Sequence, residues 1–314
     1  MDKLPTTLQD AIVFFSDPDN CLNYAVSRRW PNGVCCPTCG STEVKFLPTR
    51  RLWECKNRHP RKQFSFKVGT IFEDSPISLD KWFVAMWMLA NCKNGVSSYE
   101  IHRAIGVTQK SAWFMLHRIR LAMETGSFKK FAKTCEVDET FVGGKSKNMH
   151  AKVRARRITG SGGKDKTIVM GILERGGEVR ATVVEKRSRK ELQAHIMQNV
   201  KAGARVYTDA LPSYDRLHGL YMHEAIDHAV EYVRGNVHVN GMENFWSLLK
   251  RGLKGTYVAV DPEHLNRYVV EQVFRFNNRK DLNDGGRFNL AMKQVEGKRL
   301  TYAELTGKTD TVRH

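Results

Sequence analysis

Three carboxylates constrain what the second half of this chain can build. Asp138 lies in the strand-like run Cys135-Glu136-Val137-Asp138-Glu139-Thr140-Phe141-Val142-Gly143. Asp209 ends a second such run, Ala204-Arg205-Val206-Tyr207-Thr208-Asp209, and Glu243 sits in the helical stretch from Asn240 to Lys250. Only a fold that sets the two strands together and returns the helix over them brings the three acids to one place. Carboxylates are hard oxygen donors suited to Mg²⁺ or Mn²⁺. Two such ions held about 4 Å apart can activate an attacking oxygen and stabilise a leaving one. The chain has 33 acidic residues, so Glu136, Glu139, Asp215, Glu224 and Asp227 compete on composition alone.

Charge names the partner class. With 51 Lys and Arg the formal net charge is +18, and such an excess points to a polyanion, because basic side chains release the counterions condensed on phosphates. Nucleic acid is the expected partner. At 314 residues and 41% hydrophobic content the chain can bury cores in two or three domains. No apolar run approaches the roughly 20 residues of a membrane helix, and no secretory pattern opens the chain. A soluble cytoplasmic protein without a membrane partner is therefore expected. Four of the seven cysteines fall between Cys35 and Cys55, which suits metal ligation in a reducing compartment better than disulfides.

The cysteines have zinc-ribbon spacing. Cys36-Pro37-Thr38-Cys39-Gly40 makes a two-thiolate knuckle, and Cys55 with His59 adds a C-x3-H half, giving a Cys3His set for a structural Zn²⁺. Cys35, beside Cys36, is the alternative fourth ligand to His59. A module this small lacks a core, so metal binding would supply its folding free energy. Further on, a dense apolar stretch from Ser78 to Ala90 reads as a buried helix. Ser97-Ser98-Tyr99-Glu100 resembles a capping box, and the turn Ile105-Gly106-Val107 precedes a helix capped by Thr108 and running to about Met123. Helix, glycine turn, helix is the arrangement of a helix-turn-helix. Gln109, Lys110 and Ser111 would then face a DNA groove; an αα-hairpin is the plainer reading.

Beyond Phe131 the pattern becomes α/β. Strand-like runs span Cys135 to Val142, Thr167 to Glu174 and Glu178 to Glu185. A helix from about Arg189 to Asn199, the strand ending at Asp209, further helix around Pro212 to Leu217, the helix of Glu243 and an amphipathic helix from about Pro262 to Asn277 follow. This is the element order of an RNase H-like fold. The basic segment Gly144 to Lys166 reads as a loop that can fold onto phosphates. His238 and Asn240 are either polar neighbours of Glu243 or cap residues. Lys250, two turns beyond Glu243 on the same face, is placed either to touch phosphate or to form a basic exposed patch with Arg251 and Lys254. The expected organisation is a zinc-ribbon segment at 1–70, a helical helix-turn-helix region at 71–126, an α/β RNase H-like catalytic domain at 130–285 and a tail at 286–314.

The chain resembles the bacterial insertion-sequence DDE transposases that carry an N-terminal zinc ribbon, relatives of the eukaryotic Merlin transposons. The resemblance spans nearly the whole chain. It rests on Arg29-Trp30-Pro31 with the Cys36/Cys39 knuckle, Gly69-Thr70-Ile71-Phe72-Glu73-Asp74-Ser75, His117-Arg118-Ile119-Arg120, Val137-Asp138-Glu139-Thr140, Tyr207-Thr208-Asp209, Glu243-Asn244-Phe245-Trp246, and Phe276-Asn277-Asn278-Arg279. It implies that Asp138, Asp209 and Glu243 are the catalytic, metal-binding acids and that Lys250 is the family's basic residue after the Glu; Arg118 and Arg251 are counted as DNA-binding. The Cys55/His59 pair departs from the family's frequent C-x2-C. A transposase of this kind binds the terminal inverted repeats of its element, nicks DNA by hydrolysis and joins the 3′-hydroxyls to target DNA, within a homo-oligomeric synaptic complex at the nucleoid. The rival readings are a non-catalytic zinc-ribbon and helix-turn-helix regulator, and a nuclease or resolvase that cuts without joining.

Overall fold

The structure, a computed structural model, describes residues 4–124, 129–143, 166–226 and 237–307. The basic segment from Gly144 and Asp227 therefore lie outside the described residues, apart from Lys166. Among the described residues no helix is long and apolar enough to cross a membrane. The chain divides into two units, one made of residues up to 124 together with those from 278 onward, the other of the residues between.

The first unit begins with two helices, α1 (Leu8–Phe15) and α2 (Pro18–Arg29). Thr7 and Asp10 form a reciprocal capping box on α1, while Asp17 caps α2 with Pro18 in its first turn, which satisfies otherwise orphaned N–H groups. A three-stranded antiparallel sheet follows: β1 (Val44–Leu47), β2 (Leu52–Cys55) and β3 (Gln63–Phe64), in that order. Helices α3 (Leu79–Asn91), α4 (Ser98–Ile105) and α5 (Gln109–Ala122) come next. The dense apolar content expected to bury α3 does so, since Trp82, Phe83, Met86 and Trp87 are all sealed from solvent. After the second unit the chain returns here. Phe288 packs on Phe15, Tyr24 and Phe83, so residues from both ends of the chain share one aromatic core.

The second unit is a five-stranded mixed sheet with helices on both faces. Its strands are β4 (Cys135–Val142), β5 (Thr167–Glu174), β6 (Val179–Val184), β7 (Arg205–Asp209) and β8 (Met222–Ile226), ordered β6-β5-β4-β7-β8. The first three form an antiparallel meander, β7 runs parallel to β4, and β8 runs parallel to β7. Between Pro212 and Gly219 the chain forms two 3₁₀ turns and no α-helix, and the strand β8 that follows was not expected. Only Ile226 of β8 is buried, so the segment lacks the apolar run by which a strand is recognised.

Alternation along β4 sends successive side chains to opposite faces. Val137 joins a core with Ile172, Leu192 and Ile196 that includes α6 (Arg189–Asn199). Across the sheet, Val169, Leu173 and Val179 pack against Met242, Phe245, Trp246 and Leu249 of α7 (Asn240–Gly252), and against Leu265, Val269 and Phe276 of α8 (Leu265–Asn277). Helix α8 also blunts the edge strand β6. Asn266 accepts the Val183 N–H at 3.2 Å, and Asn277 bonds both the N–H and the carbonyl of Val179 at 2.8 and 3.0 Å.

Candidate active site and metal centre

Parallel pairing of β4 with β7 is confined to Cys135↔Val206 and Glu136↔Tyr207. The pairing stops there, and Asp138, midway along β4, and Asp209, the last residue of β7, each lie two residues beyond it. Crevices beyond the carboxyl ends of parallel strands are where open α/β sheets hold ligands. One carboxylate oxygen from each of Asp138, Glu139 and Asp209 lies within 4.8 Å of the others.

Asp138 is held from two directions. Its Oδ1 accepts the Glu139 N–H at 2.8 Å, and its Oδ2 accepts the indole N–H of Trp246 at 2.9 Å. Trp246 gets that close because Asp138 faces Gly171 across the β4–β5 ladder. A Cβ on Gly171 would stand 2.8 Å from the indole. Burial raises the Asp138 carboxyl to about 6, helped by the nearby charge of Asp209 and opposed by the two N–H donors. Burial likewise lifts Glu139 to about 7; the Tyr214 phenol beside it and Arg187 hold back part of the rise, while Asp209 adds to it. Neither oxygen of Glu139, both sealed from solvent, has a hydrogen-bond partner of normal geometry among the described residues.

Glu243 occupies the first turn of α7 and is exposed. Its charge contributes to raising Asp138, but it is not a member of the close group of oxygens. What fixes α7 is Glu136, one of the acids that competed on composition. Its Oε2 accepts the N–H groups of Gly241 at 2.7 Å and Met242 at 3.1 Å, capping the helix, and its Oε1 takes the Arg175 Nε–H at 2.7 Å. Arg175 in turn donates to the His238 carbonyl at 2.9 Å. A buried carboxylate on a helix N-terminus meets both the unpaired N–H groups and the dipole. His238 belongs to the Arg175 network beside the start of α7, whose cap position is Val239 with no side-chain cap bond, and Asn240 is the first helical residue.

Lys250 is half-buried, and its ammonium pKa is lowered by burial first and then by the charges of Lys254 and Lys166, while Asp138 opposes the shift. These three lysines line a groove of about 1000 Å³ with Phe141, Leu253 and Val260. Arg251 is exposed.

The first unit holds the other metal group. Ligand atoms of Cys36, Cys39, Cys55 and His59 all lie within 4.8 Å of one another, the donor set of a Cys3His zinc site. The Cys36 Sγ is 3.4 Å from His59 Nε2, and the Cys39 and Cys55 sulfurs are 3.7 Å apart. Cys35 is not in the group. The Cys36 thiol is drawn down to about 7, against its own burial, by backbone N–H groups of Cys39 and Thr38, which favours the thiolate that binds metal. Cys55 is the last residue of β2, and a structural Zn²⁺ fits these four donors.

Helix α4 carries the expected capping box between Ser97 and Glu100 and closes on Gly106 in the left-handed region, at φ 63°; Thr108 caps α5. Gln109 is half-buried and bonded to Ser98 at 2.8 Å, Ser111 is half-buried against Thr108, and Lys110 is exposed with its ammonium over the Tyr302 ring. Arg118 requires a correction. It is only 3% exposed and donates to the carbonyls of Leu300 at 2.9 Å and Glu73 at 2.7 Å. A guanidinium sealed in and bonded to main-chain oxygens ties chain segments together and is not presented to DNA.

Comparison with known proteins agrees with this division. Residues 130–277 match the ISXO2-like transposase domain, and residues 16–57 match the transposase zinc-ribbon domain. An uncharacterised protein in the transposable element ISH50 of Halobacterium salinarum is 26% identical over 260 residues, covering 79% of this chain and 86% of that protein. An uncharacterised transposase-like protein of Haemophilus influenzae is 36% identical over 84 residues, covering 26% of this chain and 68% of the relative.

Proposed function

We propose that this chain, which belongs to the ISXO2-like transposase family, binds the terminal inverted repeats of its own element and carries out metal-dependent DNA strand cleavage and strand transfer. The observation that carries the reading is the meeting of Asp138 and Asp209 just beyond the pairing of β4 with β7. The strand order, an antiparallel meander with two parallel strands added beside its first strand, supports an RNase H-like catalytic unit. Asp138, Asp209 and Glu243 are the catalytic acids in this reading. Glu139, whose two sealed oxygens beside Asp138 and Asp209 lack a hydrogen bond of normal geometry among the described residues, marks the group as one that suits a cation. Mg²⁺ or Mn²⁺ held there would activate a water or a DNA 3′-hydroxyl and stabilise the leaving oxygen.

The chain's own residues do the positioning. Trp246 fixes the rotamer of Asp138, and Glu136 fixes the start of the helix that carries Glu243, so the acids stand preorganised. Lys250 and Arg251 meet the scissile phosphate backbone, with Lys250 reaching it from the lysine-lined groove. In the first unit, α4 and α5 act as a helix-turn-helix with Gln109, Lys110 and Ser111 at the groove-facing start of α5. The zinc ribbon supports the same task. Two DNA ends must be processed together, which calls for a homo-oligomer, and the work belongs in the cytoplasm at the nucleoid.

The test uses purified protein, linear DNA ending in the element's repeats, a target plasmid and Mg²⁺ or Mn²⁺. The expected result is 3′-end nicking and joined products, both lost in Asp138→Ala and Asp209→Ala. Binding without cutting by all proteins would mark a regulator, and cutting without joining would mark a nuclease; either refutes the proposal.

A further inference from the structure

We propose that Glu139 is a third carboxylate ligand of the divalent ion shared by Asp138 and Asp209, and that the Tyr214 hydroxyl orients it. This rests on the metal-dependent reading above and adds a residue to it. The two oxygens of Asp138 have each accepted one N–H already, from Glu139 and from Trp246. Those of Glu139 have accepted none of normal geometry among the described residues, although both are sealed from solvent and the Tyr214 hydroxyl stands beside them. A buried carboxylate left unpartnered is expensive, and a cation within reach of the Asp138 and Asp209 oxygens relieves that cost. Arg187 relieves it only in part, through its charge, since its guanidinium sits over the Phe141 ring, 5.2 Å from the centroid, and makes no ion pair with Glu139 among the described residues.

Tyr214 is the independent pointer. Its side chain is 1% exposed in the core under α6, its hydroxyl has no hydrogen-bond partner of normal geometry among the described residues, and the group it faces is Glu139, with Asp209 and Asp138 behind. Buried phenols normally find a partner. A small turn of the Glu139 carboxylate toward an ion presents one oxygen to the metal and the other to the Tyr214 O–H. Ligating carboxylates are commonly oriented by a donor of this kind. Glu139 points to the opposite face of β4 from Asp138, so the two would approach a bound ion from different sides. Glu243, exposed and outside the close group, is not needed for this ion.

The experiment is Mn²⁺ binding to the full-length protein without DNA, read from the free-ion signal in electron paramagnetic resonance at pH 8. Glu139→Gln and Asp209→Asn are expected to weaken binding at least about tenfold, Tyr214→Phe about tenfold, and Glu243→Gln less than about threefold. Thermal unfolding supplies a second readout. Glu139→Gln removes an unpartnered buried charge, so without metal it should melt no lower than wild type, yet it should lose the Mn²⁺-induced rise in midpoint. Wild-type Mn²⁺ affinity in Glu139→Gln with loss in Asp209→Asn overturns the role of Glu139 and leaves the broader reading standing. Unchanged binding in both variants overturns the two together.

Discussion

Replacing Gly171 by Ala tests how the sheet and α7 create the site. The new Cβ would lie 2.2 Å from the Met242 methyl and 2.8 and 2.9 Å from Cη2 and Cζ2 of Trp246. Carbons in contact prefer about 3.5–4.0 Å. The thioether end can swing aside, but the indole, 4% exposed and packed against Phe245, would have to retreat by roughly 0.6 Å or more to restore contact distance. That retreat draws its N–H away from Asp138, where the bond is now 2.9 Å. Overpacking costs about 1–3 kcal/mol, and a hydrogen bond to a charged acceptor is worth about 1.5–3 kcal/mol. Partial loss of both gives about 3 kcal/mol, a large share of the 5–15 kcal/mol or so that holds a domain together. Hydrogen exchange read by mass spectrometry on β5 and α7 peptides should then quicken roughly a hundredfold. Gly219→Ala is the control, because nothing stands within 4 Å of a Cβ there. Exchange within about threefold of wild type in Gly171→Ala would sink the claim that Trp246 and the sheet are in tight register.

The raised carboxyls make the metal-free second unit sensitive to pH. Asp138 at about 6 and Glu139 at about 7 hold protons in the fold that they lose when unfolded; stability therefore falls as pH rises from about 4 to about 7. Mn²⁺ must displace those protons, so its stabilisation should grow over the upper part of the same window; a metal-induced shift in melting midpoint as large at pH 5 as at pH 8 would contradict this. Glu136→Gln removes the charge that Arg175 meets at 2.7 Å and weakens the cap of α7, with an expected loss of about 2–4 kcal/mol in urea unfolding of the second unit. Cys36→Ser, Cys55→Ser and His59→Ala should each lose zinc by atomic absorption, whereas Cys35→Ser should retain it; zinc loss on Cys35→Ser would reassign the fourth ligand. Arg118→Ala should lower thermal stability with little change in the salt dependence of DNA binding, because its donors are spent on Leu300 and Glu73.

Strands β4 to β7 and helices α6 to α8 were legible because each buries an apolar stripe of the right period. The edge strand β8, with only Ile226 inside, has no such stripe and takes its conformation from pairing with β7. Helices α1 and α2 carried their signals locally, in Thr7 with Asp10 and in Asp17 with Pro18, but the apolar run of α1 is short and α2 has little apolar content. The packing of Phe288 on Phe15 is a contact between the two ends of the chain, and no local pattern encodes that.

The site divides along the same line. Asp138 and Asp209 could be picked from the sequence because an acid inside or at the end of an apolar strand contradicts the strand's own preference, and such conflicts gather at functional positions. Glu136 and Glu139 share Asp138's strand, and composition could not rank the three. Only the sheet does so, by alternation and by what comes to each face. Glu136 and Asp138 turn toward α7, where one meets the helix N-terminus 105 residues away and the other the Trp246 indole 108 away. Glu139 turns toward Tyr214 on the opposite face. Three positions of one strand thus become a helix cap, an acid held by an indole and a carboxylate beside a buried phenol, and the differences among them come from partners supplied by distant parts of the chain. A substitution at Gly171 or Gly241, neither of which bears a functional group, should therefore disturb the acids about as surely as a change on β4 itself, since both glycines keep α7 within reach of them.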